Sequence, residues 1–229
     1  MFNKYYIFTM KYILIRTLTL SAMLIAVISG MAGADSSVVW NERINKNSIT
    51  VWTRPVDGYR VDSFRAQADL DFSIEAIYEH LTNLNEFPEW VHGLKEFEII
   101  TSVDELWEYY LVVSAPLSKD RDNVMRMTGR PPGNDGTAFL EQIALLTDRP
   151  ERRNTVRVTD YHETWNLVKL NDTKTRATLE VRFDPGGNPP VKVLNWIVAQ
   201  GPYESFQTMI KILESQLETS DQYLLASSK

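Results

Sequence analysis

The sequence predicts an α+β fold in which a curved antiparallel sheet wraps around one long C-terminal helix and leaves a tunnel between them. Three observations carry this. A run of period-two segments separated by turn signals fills the middle of the chain. No βαβ alternation interrupts it, which points to a meander and away from a parallel sheet. After "DPGGNPP" the hydrophobic period changes from that of a strand to that of a helix and stays there. The layout is a helix-grip architecture.

In chain order, "ITVWTRPVDG" (residues 49–58) reads as a first strand that ends in a Pro/Asp-Gly turn. "SFRAQADLD" alternates most cleanly. Phe64, Ala66, Ala68 and Leu70 face one way; Arg65, Gln67, Asp69 and Asp71 face the other. The small inner face leaves room for open space, or for a large helix side chain. "DFSIEAIYEHLTNLNEFPEWV" is a helix capped by Ser73, with a stripe of Ile74, Ile77, Tyr78 and Leu81. Pro88 stops its continuation, and Trp90-Val91 follow.

Six further strands are expected: "LKEFEIITS", "ELWEYYLVVS", "RDNVMRMTGR", "GTAFLEQIALLT", "NTVRVTDYHETWNLVKL" and "TRATLEVRFDP". The final helix carries Val191, Leu194 and Val198, then Phe206, Met209, Ile210, Leu213 and Leu217. Pro189 and Pro190 suit its start. Gly201-Pro202 predicts a kink, because proline removes an internal hydrogen bond.

The chain has 229 residues and no cysteine, which excludes disulfides, thiolate catalysis and Cys-ligated zinc. Residues 1–34 read as a secretory signal peptide. Lys11 and Arg16 precede an apolar core from Leu18 to Ile28, and Ala32-Gly33-Ala34 fits the small-x-small cleavage pattern. The expected organisation is a signal peptide (1–34), one domain (35–219) and a polar tail (220–229), with a periplasmic or secreted destination in a bacterium. The formal net charge is −6; residues 1–34 hold three positive charges and no acid, so the remainder carries −9. An acidic body argues against nucleic acid as a partner.

No catalytic pattern emerges. The histidines are His80, His92 and His162, without metal-ligand spacing. There is no G-x-S-x-G elbow, P-loop or dinucleotide fingerprint. No metal or cofactor is expected. Asp120, Arg121 and Asp122 stand in a row between two strands. A guanidinium cannot serve as an ordinary general acid near neutral pH, so a structural or ligand-facing ion pair is favoured over acid/base chemistry. A charged pair kept inside an apolar tunnel gains little stability and would orient a ligand's polar head.

"VWTRPVDG", "FRAQADLD", "FPEWV", "PLSKDRDNV", "DPGGNPP" and "NWIVAQGPYESFQTMIKIL" together, in this order and spacing, resemble a bacterial START-type lipid-binding domain. START is the steroidogenic-acute-regulatory-related lipid transfer family, within the birch-allergen-like, polyketide-cyclase-like superfamily. The resemblance spans about Val38 to Leu217. It implies a helix-grip fold with an internal tunnel for one lipid or sterol-like molecule. By position, Arg121 and Asp122 match the family's Arg-Asp pair after the Pro-containing turn. Trp90 and Val91 match its Trp-Val element, Asp184 to Gly187 its loop before the last helix, and Asn195 and Pro202 positions within that helix. "SAPLSK" departs from it, lacking the aromatic often found beside that proline.

The expected ligand contacts are Trp90, Val91, Arg121, Asp122, Trp165 and Asn195. Each buried methylene contributes about 0.8 kcal/mol, so a lipid site needs few polar groups. The resulting expectation is a non-enzymatic lipid-binding or lipid-transfer protein whose work allows transient contact with a membrane. Two alternatives stay open. One is a polyketide cyclase/aromatase-like enzyme using the same cavity, with Arg121 and Asp122, His162 or Tyr161 as acid/base groups. The other is a hydrophobic-ligand sensor acting through a partner. The ligand and the oligomeric state are not legible.

Overall fold

The computed structural model describes residues 39–115 and 117–227, with the backbone alone for 220–227. The expected signal peptide (1–34) and Pro116 of the expected Pro-containing turn lie outside the described residues. Among the described residues no helix is long and apolar enough to cross a membrane.

Ten strands form one sheet: β1 (Asn41–Lys46), β2 (Ile49–Arg54), β3 (Ser63–Leu70), β4 (Leu94–Val103), β5 (Leu106–Val113), β6 (Asp120–Arg130), β7 (Thr137–Ala144), β8 (Thr155–Arg157), β9 (Asp160–Asn171) and β10 (Lys174–Asp184). Their order is β1-β2-β3-β10-β9-β7-β6-β5-β4, antiparallel throughout, with β8 added parallel to β6. The helices are α1 (Ile74–Thr82), α2 (Phe87–Trp90) and α3 (Val191–Ser227). The sheet is not closed, and α3 packs against β2 and β3. This is the expected helix-grip arrangement.

Two strands differ from the sequence reading. β1, "NERINK", is almost wholly exposed and lacks the apolar alternation that identifies a strand. It forms because Asn47 and Ser48 both take positive φ (52° and 61°), a two-residue turn whose twist suits a hairpin. Arg54 and Arg65 each hold a guanidinium 4.5 Å from the ring of Trp40 just before it.

The segment "NTVRVTDYHETWNLVKL" divides into β8 and β9. β7 pairs with β6 along Met125–Arg130, leaving the Asp120–Asp122 edge of β6 open. β8 fills that edge, and Val158 N–H donates to Asp122 O at 2.9 Å.

β3 follows its predicted alternation, with Phe64, Ala66, Ala68 and Leu70 buried. Ala66 and Ala68 sit in the main core with Phe206 and Met209 of α3, and neither lines the cavity described below. Their small size therefore serves helix packing and not open space.

Ser73 caps α1, its Oγ accepting from Ala76 N–H. α1 stops at Thr82, ahead of Pro88. Asn83 turns the chain through a short 3₁₀ segment, and Pro88 sits in the first turn of α2. The proline opens a helix instead of ending one, since its missing N–H is unneeded there.

α3 runs unbroken through Gly201 and Pro202. Leu194, Val198, Phe206, Met209 and Leu213 form its buried stripe, while Leu217, expected in that stripe, is half exposed. The helix continues along the backbone into 220–227, the segment set apart as a tail.

Candidate functional site

The concave face of the sheet and the N-terminal half of α3 enclose a cavity of about 380 Å³, within the size range of small-ligand sites (~300–1,000 Å³). Its walls are mainly apolar, including Leu111, Leu179 and Val181 from the sheet and Leu194, Ile197 and Val198 from α3. α2 and the corner after it close one side. There His92 N–H donates to Ser205 Oγ (3.1 Å), and the His92 ring pairs with Glu204 (2.8 Å), tying that corner to α3.

Of the residues expected to contact a ligand, Trp90, Val91, Arg121 and Trp165 line this cavity. Trp90 is held from behind by Phe87, edge-on at 5.3 Å between ring centroids, and by the buried His80 ring at 5.4 Å. Burial pushes the His80 imidazole below its usual range, against the opposing pull of Glu86. Trp165 stacks on Phe206 of α3 at 5.2 Å, so it touches both layers of the fold.

Asp122 and Asn195 do not line the cavity. Successive residues of a strand point to opposite faces. In β6, Arg121, Asn123 and Met125 face inward and Asp122 faces outward. Asp122 therefore cannot pair with Arg121. It is fully buried on the outer side, where Arg157 Nη2 donates to its Oδ2 at 2.7 Å and Tyr110 Oη at 3.1 Å. Asp120 pairs with Lys95 at 2.8 Å. Asn195 Oδ1 accepts from Asp62 N–H (3.1 Å), a tether from α3 to the β2–β3 connection.

Arg121 is 7 % exposed, and among the described residues it bonds no carboxylate. Its Nε donates to Pro185 O (2.9 Å) and Nη2 to Gly186 O (3.4 Å). Nη1 donates to Ser118 Oγ (2.8 Å) and to Lys119 O. Burial, then the nearby Arg60 charge, lower its affinity for a proton. The guanidinium thus fastens the loop ahead of α3 to the sheet.

That loop makes the tight turn its glycines foretell, with φ of 62° at Gly186 and 61° at Gly187. Asp184 Oδ1 accepts from Gly186 N–H (3.0 Å) and pairs with Arg60 (3.1 Å), which hold its carboxyl below the usual range.

A polar cluster on β5, β7 and β9 joins Trp165 and Tyr161, which the sequence reading named, to Tyr109, Gln142 and Glu163, which it did not. Glu163 Oε1 accepts from Gln142 Nε2 (2.6 Å) and Trp165 Nε1 (2.8 Å); its Oε2 accepts from the Tyr161 hydroxyl. The Tyr109 hydroxyl donates to Gln142 Oε1. All five residues line the cavity. Burial raises the Glu163 carboxyl and lifts both tyrosines well above their ordinary range. The available signal was a polar residue at an inward position of an alternating strand. Gln142 follows Ala138 and Leu140, and Glu163 precedes Trp165 and Leu167; the two sit directly opposite in the β7–β9 register. Of the two alternative acid/base candidates beside the Arg121–Asp122 pair, Tyr161 lines the cavity, whereas His162 points the other way and bonds Glu141 at 2.8 Å.

Among the described residues no cluster of metal-ligating side chains occurs.

A family model described as polyketide cyclase / dehydrase and lipid transport matches residues 70–202. Comparison with curated proteins gives no match. Among solved structures, a STAR-related lipid transfer protein from Xanthomonas axonopodis superposes with a TM-score of 0.69 at 24% identity, covering 76% of this chain and 98% of that one. Human StAR-related lipid transfer protein 5 gives 0.68 at 19% identity, covering 87% and 95%. The Zhui aromatase/cyclase from Streptomyces sp. R1128 gives 0.52 at 11% identity, covering 68% and 94%. These likenesses establish the shared fold.

Proposed function

The chain belongs to the polyketide cyclase / dehydrase and lipid transport family, and from that premise we propose that it is a non-enzymatic carrier holding one lipophilic molecule between the sheet and α3. The carrying observation is the cavity itself: about 380 Å³, walled mainly by aliphatic and aromatic side chains, with its polar groups confined to a few positions. Such a site derives its affinity from apolar burial, at about 25 cal/mol per Å², and needs no reactive group. The signal-like sequence of segment 1–34 supports reading the carrier as an exported one that collects its cargo from a membrane.

One observation favours a second, cyclase-like reading. Glu163 is a half-buried carboxyl with a raised pKa facing the cavity, as a general acid would be. Its hydrogen bonds to Gln142, Tyr161 and Trp165 are those of a group being held in place, which favours the carrier.

The test is to incubate the protein with vesicles made from a bacterial lipid extract, re-isolate it, and weigh both the bound and the remaining lipids by mass spectrometry. The carrier reading expects bound lipid of unchanged mass. A new product that accumulates with time overturns it in favour of catalysis.

A further inference from the structure

The polar cluster on the cavity wall has spent its donors on itself. The Tyr109 and Tyr161 hydroxyls, the Trp165 indole and one amide N–H of Gln142 all point at Gln142 or Glu163. A carboxylate offers roughly four lone-pair sites, and three of those on Glu163 are taken. What remains for a bound molecule is mostly acceptor capacity: the free carboxylate lone pair and the two tyrosine oxygens, against one spare N–H of Gln142.

Among the described residues no arginine or lysine bonds this carboxyl. Arg121 is the one arginine or lysine among the lining residues, and all but one of its N–H groups serve Pro185, Gly186, Ser118 and Lys119. It is also remote. Tyr109 stands opposite Met125, four positions along β6 from Arg121, or about 13 Å of strand. His92 is engaged with Glu204 at the rim, and His162 with Glu141 on the opposite face.

Resting on the carrier reading, we propose that the buried end of the ligand is a hydrogen-bond donor without negative charge, an alcohol or an amine, seated on Glu163, and that acidic lipids are selected against. A hydroxyl or ammonium group supplies the hydrogen the cluster lacks. A carboxylate or phosphate brings a second set of acceptors and its own charge into a water-poor space that has almost no donor left to meet them.

The test measures the affinities of dodecanol, dodecylamine and dodecanoate, which share one chain and differ in head, for the wild-type protein and for Glu163→Gln. Dodecanoate should bind at least about tenfold more weakly than the better of the other two. The order of dodecanol and dodecylamine then tells which donor is preferred. In Glu163→Gln the penalty on dodecanoate should shrink to within about threefold. Glu141→Gln, on the opposite face of β7 where Glu141 bonds His162, keeps the Glu163 carboxyl and should keep the discrimination; circular dichroism verifies that both variants fold. Dodecanoate binding as tightly as the others to wild type overturns the inference and leaves the carrier reading standing. So does a penalty undiminished in folded Glu163→Gln. Failure of all three probes overturns the carrier reading itself.

Discussion

The Nε of Arg121 donates to the carbonyl oxygen of Pro185 at 2.9 Å, joining the start of β6 to the glycine loop that launches α3. With the bond to Gly186 O, one guanidinium holds two consecutive loop carbonyls. The cavity lies between the parts so joined, which makes Arg121 a fastening of its wall and not a headgroup anchor.

Replacing Arg121 by Met should therefore cost about 2–4 kcal/mol in urea unfolding, because buried carbonyls lose a charged donor. Arg121→Lys should recover little, since one ammonium cannot match the spread of the planar fork. Both variants should release a bound lipid probe faster than wild type by stopped-flow. An unchanged release rate would show that the loop does not govern exit.

The Asp122–Arg157 pair gives the opposite signature. Asp122→Leu leaves the Arg157 guanidinium, 8 % exposed, without its carboxylate and should cost about 3–5 kcal/mol. Joint replacement by Leu and Met should restore most of that loss. Because the pair lies on the outer side of β6, the double variant should bind cavity probes with wild-type affinity, as fluorescence titration would check.

Glu163 sets a pH dependence of definite sign. Its folded pKa is raised above the ordinary 4.5, so the folded state holds this proton more firmly than the unfolded one. The associated stability is fully present below about 4.5 and is lost as pH rises through the higher folded value. Glu163→Gln lacks the titration. Urea unfolding across the acid-to-neutral range should show the variant gaining on wild type as pH rises. Other groups, His80 included, cancel in the difference. A difference that does not vary with pH would contradict the assignment.

Gly186 and Gly58 separate backbone strain from crowding. Both take positive φ, but a Cβ at Gly186 would meet Val156 Cγ1 at 2.9 Å, whereas at Gly58 it would meet nothing within 4 Å. Gly58→Ala should cost about 1–2 kcal/mol, the left-handed penalty alone. Gly186→Ala should cost more and should loosen the loop held by Arg121, both measurable by thermal unfolding and hydrogen exchange.

Much of the fold could be read from periodicity. β3, β10 and α3 alternate or repeat cleanly because one side of each faces the core. β1 was missed because its stability comes from a turn and from two arginines on Trp40, none of which alters the polarity of "NERINK". The site was legible in part. Trp90, Val91, Arg121 and Trp165 line the cavity, but adjacency in sequence joined Arg121 to Asp122, which the strand pleat places on opposite faces. The Glu163 cluster was hidden because Tyr109, Gln142 and Glu163 meet only through the β5–β6–β7–β9 register, and no short motif records that meeting.

Native mass spectrometry of the purified protein tests most directly whether the cavity is a ligand site. The predicted result is a chain carrying one added mass, which organic extraction identifies as a lipophilic molecule and which Leu179→Trp, filling the cavity, abolishes without unfolding the protein. A bare chain mass, both as purified and after incubation with lipid vesicles, would contradict it.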